Sequence, residues 1–423
     1  MQRTVGLGVI ILALSCSCFI AAGEEEVLSW QDCLQEALAN HPDLISAREE
    51  LNQALASKII TASSSRPQIS GSLGAKTARA SSGAETDTYS YDVTGKQLLF
   101  DGRKTAQKIA SAEADLKAAE YSYQVTSSNI RLNLETAFTQ LLEAQELLDI
   151  SQQISARRRE NVELVELRYQ AGREHKGSLL NAQANLAQAE FEVIQAQRDI
   201  RLSQRRLINE LGREELTPIR VRGELEIVAY QQQLPDFEAL AENNPFLSQL
   251  IAKKEAARFD LNSARADFFP EVYANASAGR TDAHWPPHNE TWSAGVTLSL
   301  PIFEGGSRLA EVSKAEAALG QARADEKSGK DSVLFTLENT WKSWQDAVDT
   351  VGVKKKFLQA AEERAKIAQA QYSIGLISFD DWSIIEDNLV SAKKNYLTAK
   401  ADALVERAGW IQAKGGTLDY AEK

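Results

Sequence analysis

The side chains able to do chemistry are few and poorly placed for it. Of the four histidines, His284 and His288 lie nearest each other, but Trp285-Pro286-Pro287 between them rules out the helical spacing that turns two rings toward one metal. Gly172 to Gly177-Ser178 has the glycine spacing of a phosphate loop, yet Ser178 stands where the lysine is needed. Cys33 is the only cysteine beyond residue 18, so no disulfide and no thiolate metal site can form after the leader. No serine or cysteine has a histidine and a carboxylate at a regular spacing, and an enzyme is not expected. Neither a cofactor nor a metal is called for. Asp380 and Asp381 remain as a carboxylate pair at a helix start. There acids suit the helix dipole and capping; repeated around an axis they would instead form an anionic ring that draws cations.

Those residues are carried by a dominant element. From Arg103 to Ala171 there is no Gly and no Pro. As one helix this run reaches about 100 Å at 1.5 Å per residue, several times the thickness of a globular domain. Ile109, Ala112, Leu116, Ala119, Tyr123, Ile130, Ala137, Leu141, Ala144, Leu148, Val162, Val165 and Tyr169 form an apolar seam with the three-four steps of a coiled coil. A rod this long cannot bury itself, so partner rods are implied.

The net charge of −12 argues against a nucleic-acid surface, and the Lys and Arg residues are scattered among acids along helix faces. Residues 1–23 read as an export signal: Arg3, an apolar stretch from Val5 to Leu14, then Ala21-Ala22-Gly23. Cleavage near Gly23 is the first expectation, and lipidation at Cys16 or Cys18 the alternative. No later stretch has the roughly 20 apolar residues of a membrane helix, so a membrane crossing must use strands.

The chain is written twice. Pro67 and Pro270, Phe100 and Phe303, Pro42 and Pro245, Gly172 and Gly375, and Asn185 and Asn388 are all separated by 203 residues. A register held this far is a duplicated half-protein. The expected first repeat is 24–215, with strands 67–80 and 88–100, a long helix 102–172 and a return helix 177–212. A linker with a short strand occupies 216–234. The second repeat, 235–413, carries strands 270–280 and 291–301, a long helix 305–374 and a return helix 380–411, and 414–423 form a tail. Each expected strand alternates, as in Trp292, Ala294, Val296, Leu298 and Leu300 against Ser293, Gly295, Thr297 and Ser299. Four one-sided strands are too few for a membrane barrel, which closes with at least about eight. Several copies must contribute, and three suit long helices that also close into a ring.

The order of these elements, with Leu98-Leu99-Phe100-Asp101-Gly102-Arg103, Leu300-Pro301-Ile302-Phe303-Glu304-Gly305-Gly306 and Gln371-Tyr372-Ser373-Ile374-Gly375-Leu376-Ile377-Ser378, resembles the TolC-type outer-membrane efflux protein family. The resemblance covers nearly the whole chain beyond the leader. It implies a mainly α fold with a small β part: duplicated long coiled-coil helical hairpins plus four membrane strands per chain, forming a trimeric α-barrel and β-barrel tunnel. The implied function is the passive exit duct of a tripartite efflux or type I secretion system. The implied partners are two further copies of the chain, a periplasmic adaptor, an inner-membrane efflux pump or ABC exporter, and outer-membrane lipid. A periplasmic coiled-coil adaptor and a structural surface protein are the competing readings, and neither calls for duplicated strand pairs.

The two hairpin turns are the expected tunnel mouth. Gly172 and Gly375 suit the left-handed helix ending, and Leu376 and Ile377 make an exposed apolar tip, which calls for a partner and which the resemblance reads as an adaptor contact. By resemblance, Tyr372 matches a tip tyrosine and Asp381 one of two aspartates that narrow the mouth. Ile384 and Ile377 replace the second aspartate and a gate arginine, so closure is expected to differ here. Tyr169, Gly172 and Ser178 in the first turn, and Ser378 and Asp380 in the second, complete the set.

Overall fold

A computed structural model describes residues 26–419 except 80, 82, 216, 231 and 232. The expected leader 1–23, with Cys16 and Cys18, lies outside the described residues. Short β1 (Glu26–Leu28) leads into α1 (Trp30–Asn40), where Ser29 and Asp32 exchange side-chain and backbone hydrogen bonds as a capping box. In α2 (Pro42–Ser63) the proline takes the first position, where its fixed φ fits and its missing N–H is not needed. A strand pair follows, β2 (Gln68–Arg79) and β3 (Glu85–Phe100), then α3 (Lys104–Gln170) and its return α4 (Lys176–Leu211).

After β4 (Ile219–Val221), which pairs in parallel with β1, the sequence of elements begins again. It runs α5 (Phe237–Glu242), α6 (Pro245–Ala266), β5 (Glu271–Asp282), β6 (Asn289–Ser299), α7 (Ser307–Ile374) and α8 (Phe379–Ala413). The spacing of 203 persists in three dimensions: subtracting it from β5 gives 68–79, the bounds of β2, and from α6 gives 42–63, the bounds of α2. Even the backbone agrees. Arg103 has a positive φ of 72°, and its repeat-mate is Gly306 at 87°. The helix starts are capped alike, with Asp43 N–H donating to His41 Nδ1 at 3.2 Å and Phe246 N–H to Asn244 Oδ1 at 2.9 Å.

The four long strands form one antiparallel sheet in the order β2-β3-β5-β6. Its two faces differ. Ser70 pairs with Thr94, Thr94 with Ser277 and Ser277 with Ser293, and this polar face is tied by Ser70–Thr94 (2.7 Å) and Ser277–Ser293 (2.8 Å) hydrogen bonds. On the other face Ile69, Leu73, Val93, Trp292, Val296 and Leu298 are exposed. A row of exposed apolar side chains is stable only against lipid or protein. The first hairpin extends further than its alternation suggests: β3 begins at Glu85, with Thr77 donating to Asp87 (2.7 Å). Polar cross-strand bonds hold the ladder beyond the apolar band. At the other end β6 stops at Ser299, and Leu300 to Phe303 leave the sheet.

Near its start α3 is flanked by α2 and α6; further on it packs on α4 and α8. This corrects the single seam read from the sequence. Ile130, Ala137, Leu141, Ala144 and Val165 are buried, but near the start Ser111, Ala114 and Ala118 are buried in place of Ala112, Leu116 and Ala119, which are half-covered. A rod with neighbours on two sides buries two stripes, and small residues let the helices approach. Midway along the rods sit two of the larger cores. Leu134, Leu141, Leu207, Ile208, Leu211 and Ile219 fill the first; Leu337, Trp341, Trp344 and Trp410 fill the second. Each fully buried leucine contributes about 2 kcal/mol.

Candidate functional site

The tips of the two helical hairpins lie side by side. Each rod ends with the same backbone device. At the first turn Arg173 N–H donates to Arg168 O (2.8 Å) across Gly172 at φ 69°; at the second Leu376 N–H donates to Gln371 O (2.8 Å) across Gly375 at φ 83°. A side chain at a positive φ crowds its own carbonyl, which explains glycine at both positions. The return helices start from different caps: Ser178 N–H donates to His175 Nδ1 (3.2 Å), and Asp381 N–H to Ser378 Oγ (3.1 Å).

Side chains then lock one turn to the other. Tyr372 is fully buried and stacks on Trp382, with ring centroids 4.3 Å apart and planes 12° apart. Its hydroxyl donates to Glu174 Oε2 of the first turn at 2.9 Å. Arg168, also from the first hairpin, lies 4.6 Å from the Tyr372 ring centroid and donates to the Tyr372 carbonyl at 2.8 Å. It thereby satisfies carbonyls at the negative end of the α7 dipole. Burial opposes charge on Glu174, but hydrogen bonds from Ser178, Tyr372 and the His175 backbone outweigh it, and its carboxyl titrates below the usual range. Burial, with Glu174 beside it, pushes the Tyr372 phenol well above its ordinary value, so it stays a donor.

About three helical turns back along α3 from Arg168, Arg157 donates to both oxygens of Glu386, at 2.6 and 2.7 Å. The Glu386 side chain is only 2% exposed while Arg157 is 33% exposed, so the carboxylate is buried and the guanidinium reaches it from the solvent side. Arg158 pairs with Asp387 alongside it.

Of the residues expected at the mouth, Tyr372 and Ile377 belong to this cluster, Gly375 lies beside Arg168 and Ser178 hydrogen-bonds Glu174, while Gly172 and Ser378 are exposed on the turns. Ile377 is a correction: it is half-buried against Tyr372 and Trp382, because the turn folds it inward. Leu376 is 70% exposed, and Tyr169, Asp380 and Asp381 also face outward. The Asp381 carboxylate accepts from Ser378 Oγ at 2.7 Å. The sequence reading gave no role to Arg168, Glu174, Arg157 or Glu386. A signal was present: their repeat-mates are Gln371, Ile377, Ala360 and Gln183, so these positions break the repeat.

Comparison with known proteins agrees with this geometry. The model of the family described as "Outer membrane efflux protein" matches residues 33–213 and again 237–416. The outer membrane efflux protein BepC of Brucella suis is 22% identical over 387 residues, covering 90% of this chain and 84% of that protein. The alkaline protease secretion protein AprF of Pseudomonas aeruginosa is 23% identical over 353 residues, covering 79% and 71%. Among solved structures, the open state of the MtrE outer membrane channel of Neisseria gonorrhoeae superposes with a TM-score of 0.83 at 17% identity, covering 93% of this chain and 90% of that one. With the family's pattern laid once on each half, the chain belongs to the outer membrane efflux protein family, the passive exit channels of the outer membrane whose tunnels extend into the periplasm.

Proposed function

We propose that this chain assembles as a homotrimer that serves as the exit duct for a periplasmic adaptor and an inner-membrane pump or ABC exporter, and that its hairpin tips are the gated mouth. One observation carries the assembly. Within the chain β3 pairs with β5, and shifting each by 203 turns that junction into β6 against β2. Those are the two edge strands, each with one unpaired side. The register transfers too: Val93 opposite Ala278 becomes Val296 opposite the partner's Ala75. Three copies then give twelve strands in a closed barrel, leaving no edge in lipid.

The gate reading rests on the contact between Glu174, Arg168 and Tyr372, which joins two hairpins whose separation would widen the mouth. Asp381, exposed at the start of α8, recurs three times around that opening in the trimer and attracts cations. The exposed Leu376 is offered to the adaptor. Native mass spectrometry of the detergent-extracted protein tests the assembly. A trimer that conducts in planar bilayers is expected, and a stable monomer would overturn the reading. BepC and AprF are named for efflux and for protease secretion respectively, so export assays on a deletion strain must compare small molecules with secreted proteins.

A further inference from the structure

The repeat also says what lies between copies along the rods. Inside the chain α3 meets α8 along an ion-paired seam: Arg157 to Glu386 (2.6 Å), Arg158 to Asp387, Lys400 to Glu146 (3.0 Å) and Arg407 to Glu135 (3.4 Å). Shifting α3 forward and α8 back by 203 turns this seam into α7 of one copy against α4 of the next. The four ion pairs then become Ala360 with Gln183, Ala361 with Ala184, Asp349 with Gln197, and Glu338 with Gln204. At none of the four do opposite charges meet.

Apolar side chains appear there instead, and they are uncovered in the single chain. Ile154, 5% exposed in the inner seam, has Phe357 as its repeat-mate, 65% exposed on α7. Leu397, 2% exposed, has Ile194, 46% exposed on α4. Lys394 corresponds to the exposed Phe191, Val405 to Leu202 and Ile150 to Val353. Uncovered residues on two separate helices thus occupy the two sides of one junction. Exposed apolar faces of this kind need a partner, and the repeat supplies its geometry.

We propose that the tunnel wall has two chemically different seams: an ionic one within each chain, and an apolar one between copies in which Val353 and Phe357 meet the partner's Phe191 and Ile194. This rests on the homotrimer reading. Ionic strength and charge substitution act on the first seam, and removal of apolar area acts on the second.

The test uses the full-length, detergent-extracted protein. Phe357→Cys with Phe191→Cys, treated with a short bismaleimide, should give covalently linked dimers and trimers, while each single variant gives none. Phe357→Asp should raise the dissociated fraction about tenfold, and raising salt to about 1 M should leave the unaltered trimer intact. A second pair, Val296→Cys with Ala75→Cys, reports on the barrel junction. If neither pair crosslinks and the mass is that of one chain, the homotrimer reading falls. If the barrel pair crosslinks and the rod pair does not, the trimer stands and the apolar seam is wrong. If Phe357→Asp leaves the trimer intact but abolishes adaptor binding, the face belongs to the adaptor and the proposal is likewise overturned.

Discussion

Tyr169 and Tyr372 stand 203 residues apart, each three positions before the glycine that ends a long rod. One is exposed; the other is fully buried, stacked on Trp382 and bonded to Glu174. Their surroundings explain the difference. Trp382 is matched in the first hairpin by Leu179, and Arg168 and Glu174 are matched in the second by Gln371 and Ile377. The first turn supplies charge, the second supplies rings, and the lock exists only where they meet. Duplication therefore kept the backbone rules of the half and let the side chains specialise.

The strongest way to break this contrast is to truncate both tyrosines. Tyr372→Ala should cost about 3–5 kcal/mol of local stability, as for other buried aromatics, and should raise amide exchange through 368–382 and the frequency of open events in planar bilayers. Tyr169→Ala should stay within about 0.5 kcal/mol. Equal effects would erase the distinction. Arg157→Ala comes next, because it leaves the buried Glu386 carboxylate without its partner, at about 3 kcal/mol; its repeat-mate change Ala360→Gly should lose only about 1 kcal/mol of helix propensity. Thermal melts of the two variants compare them directly.

Glu174→Gln sharpens the comparison further. It keeps an acceptor for Tyr372 and removes the charge, with an expected loss of about 2 kcal/mol. The sign with pH follows from the lowered carboxyl. The unfolded group titrates near 4.5 and the folded one below it, so this stabilisation is complete above that range and is lost as pH falls through the folded value. Acid should therefore raise open-channel events in the unaltered protein and have less effect on the glutamine variant. A smaller effect is expected of Gly172→Ala, where no atom lies within 4 Å of the added carbon and only the positive φ opposes it, at about 1 kcal/mol. The same change at Gly212, where Asn40 and His41 backbone atoms already crowd the site, should cost clearly more by denaturant unfolding.

Much of the fold was legible because its signals are local. Freedom from proline marked the rods, alternation marked the strands, and a constant spacing tied Pro42 to Pro245 and Gly172 to Gly375. The burial pattern near the start of α3 was not legible, since Ser111 and Ala114 are buried by α2 and α6, helices far away in sequence. Ile377 was misplaced for a similar reason: an apolar residue at a turn looks exposed until the neighbouring hairpin covers it. Arg168 and Glu174 could have been suspected as breaks in the repeat, but not paired with Tyr372.

The sequence by itself determined which segments are helix and strand, that the half is used twice, and that one face of each strand is apolar, because periodicity and backbone preference act within a few residues. Tertiary structure decided which of two equivalent tyrosines becomes a lock, and which of two equivalent seams carries ion pairs. Those outcomes depend on side chains brought together from positions about 200 residues apart, such as Glu174 with Tyr372 and Arg157 with Glu386, and no local pattern encodes that meeting.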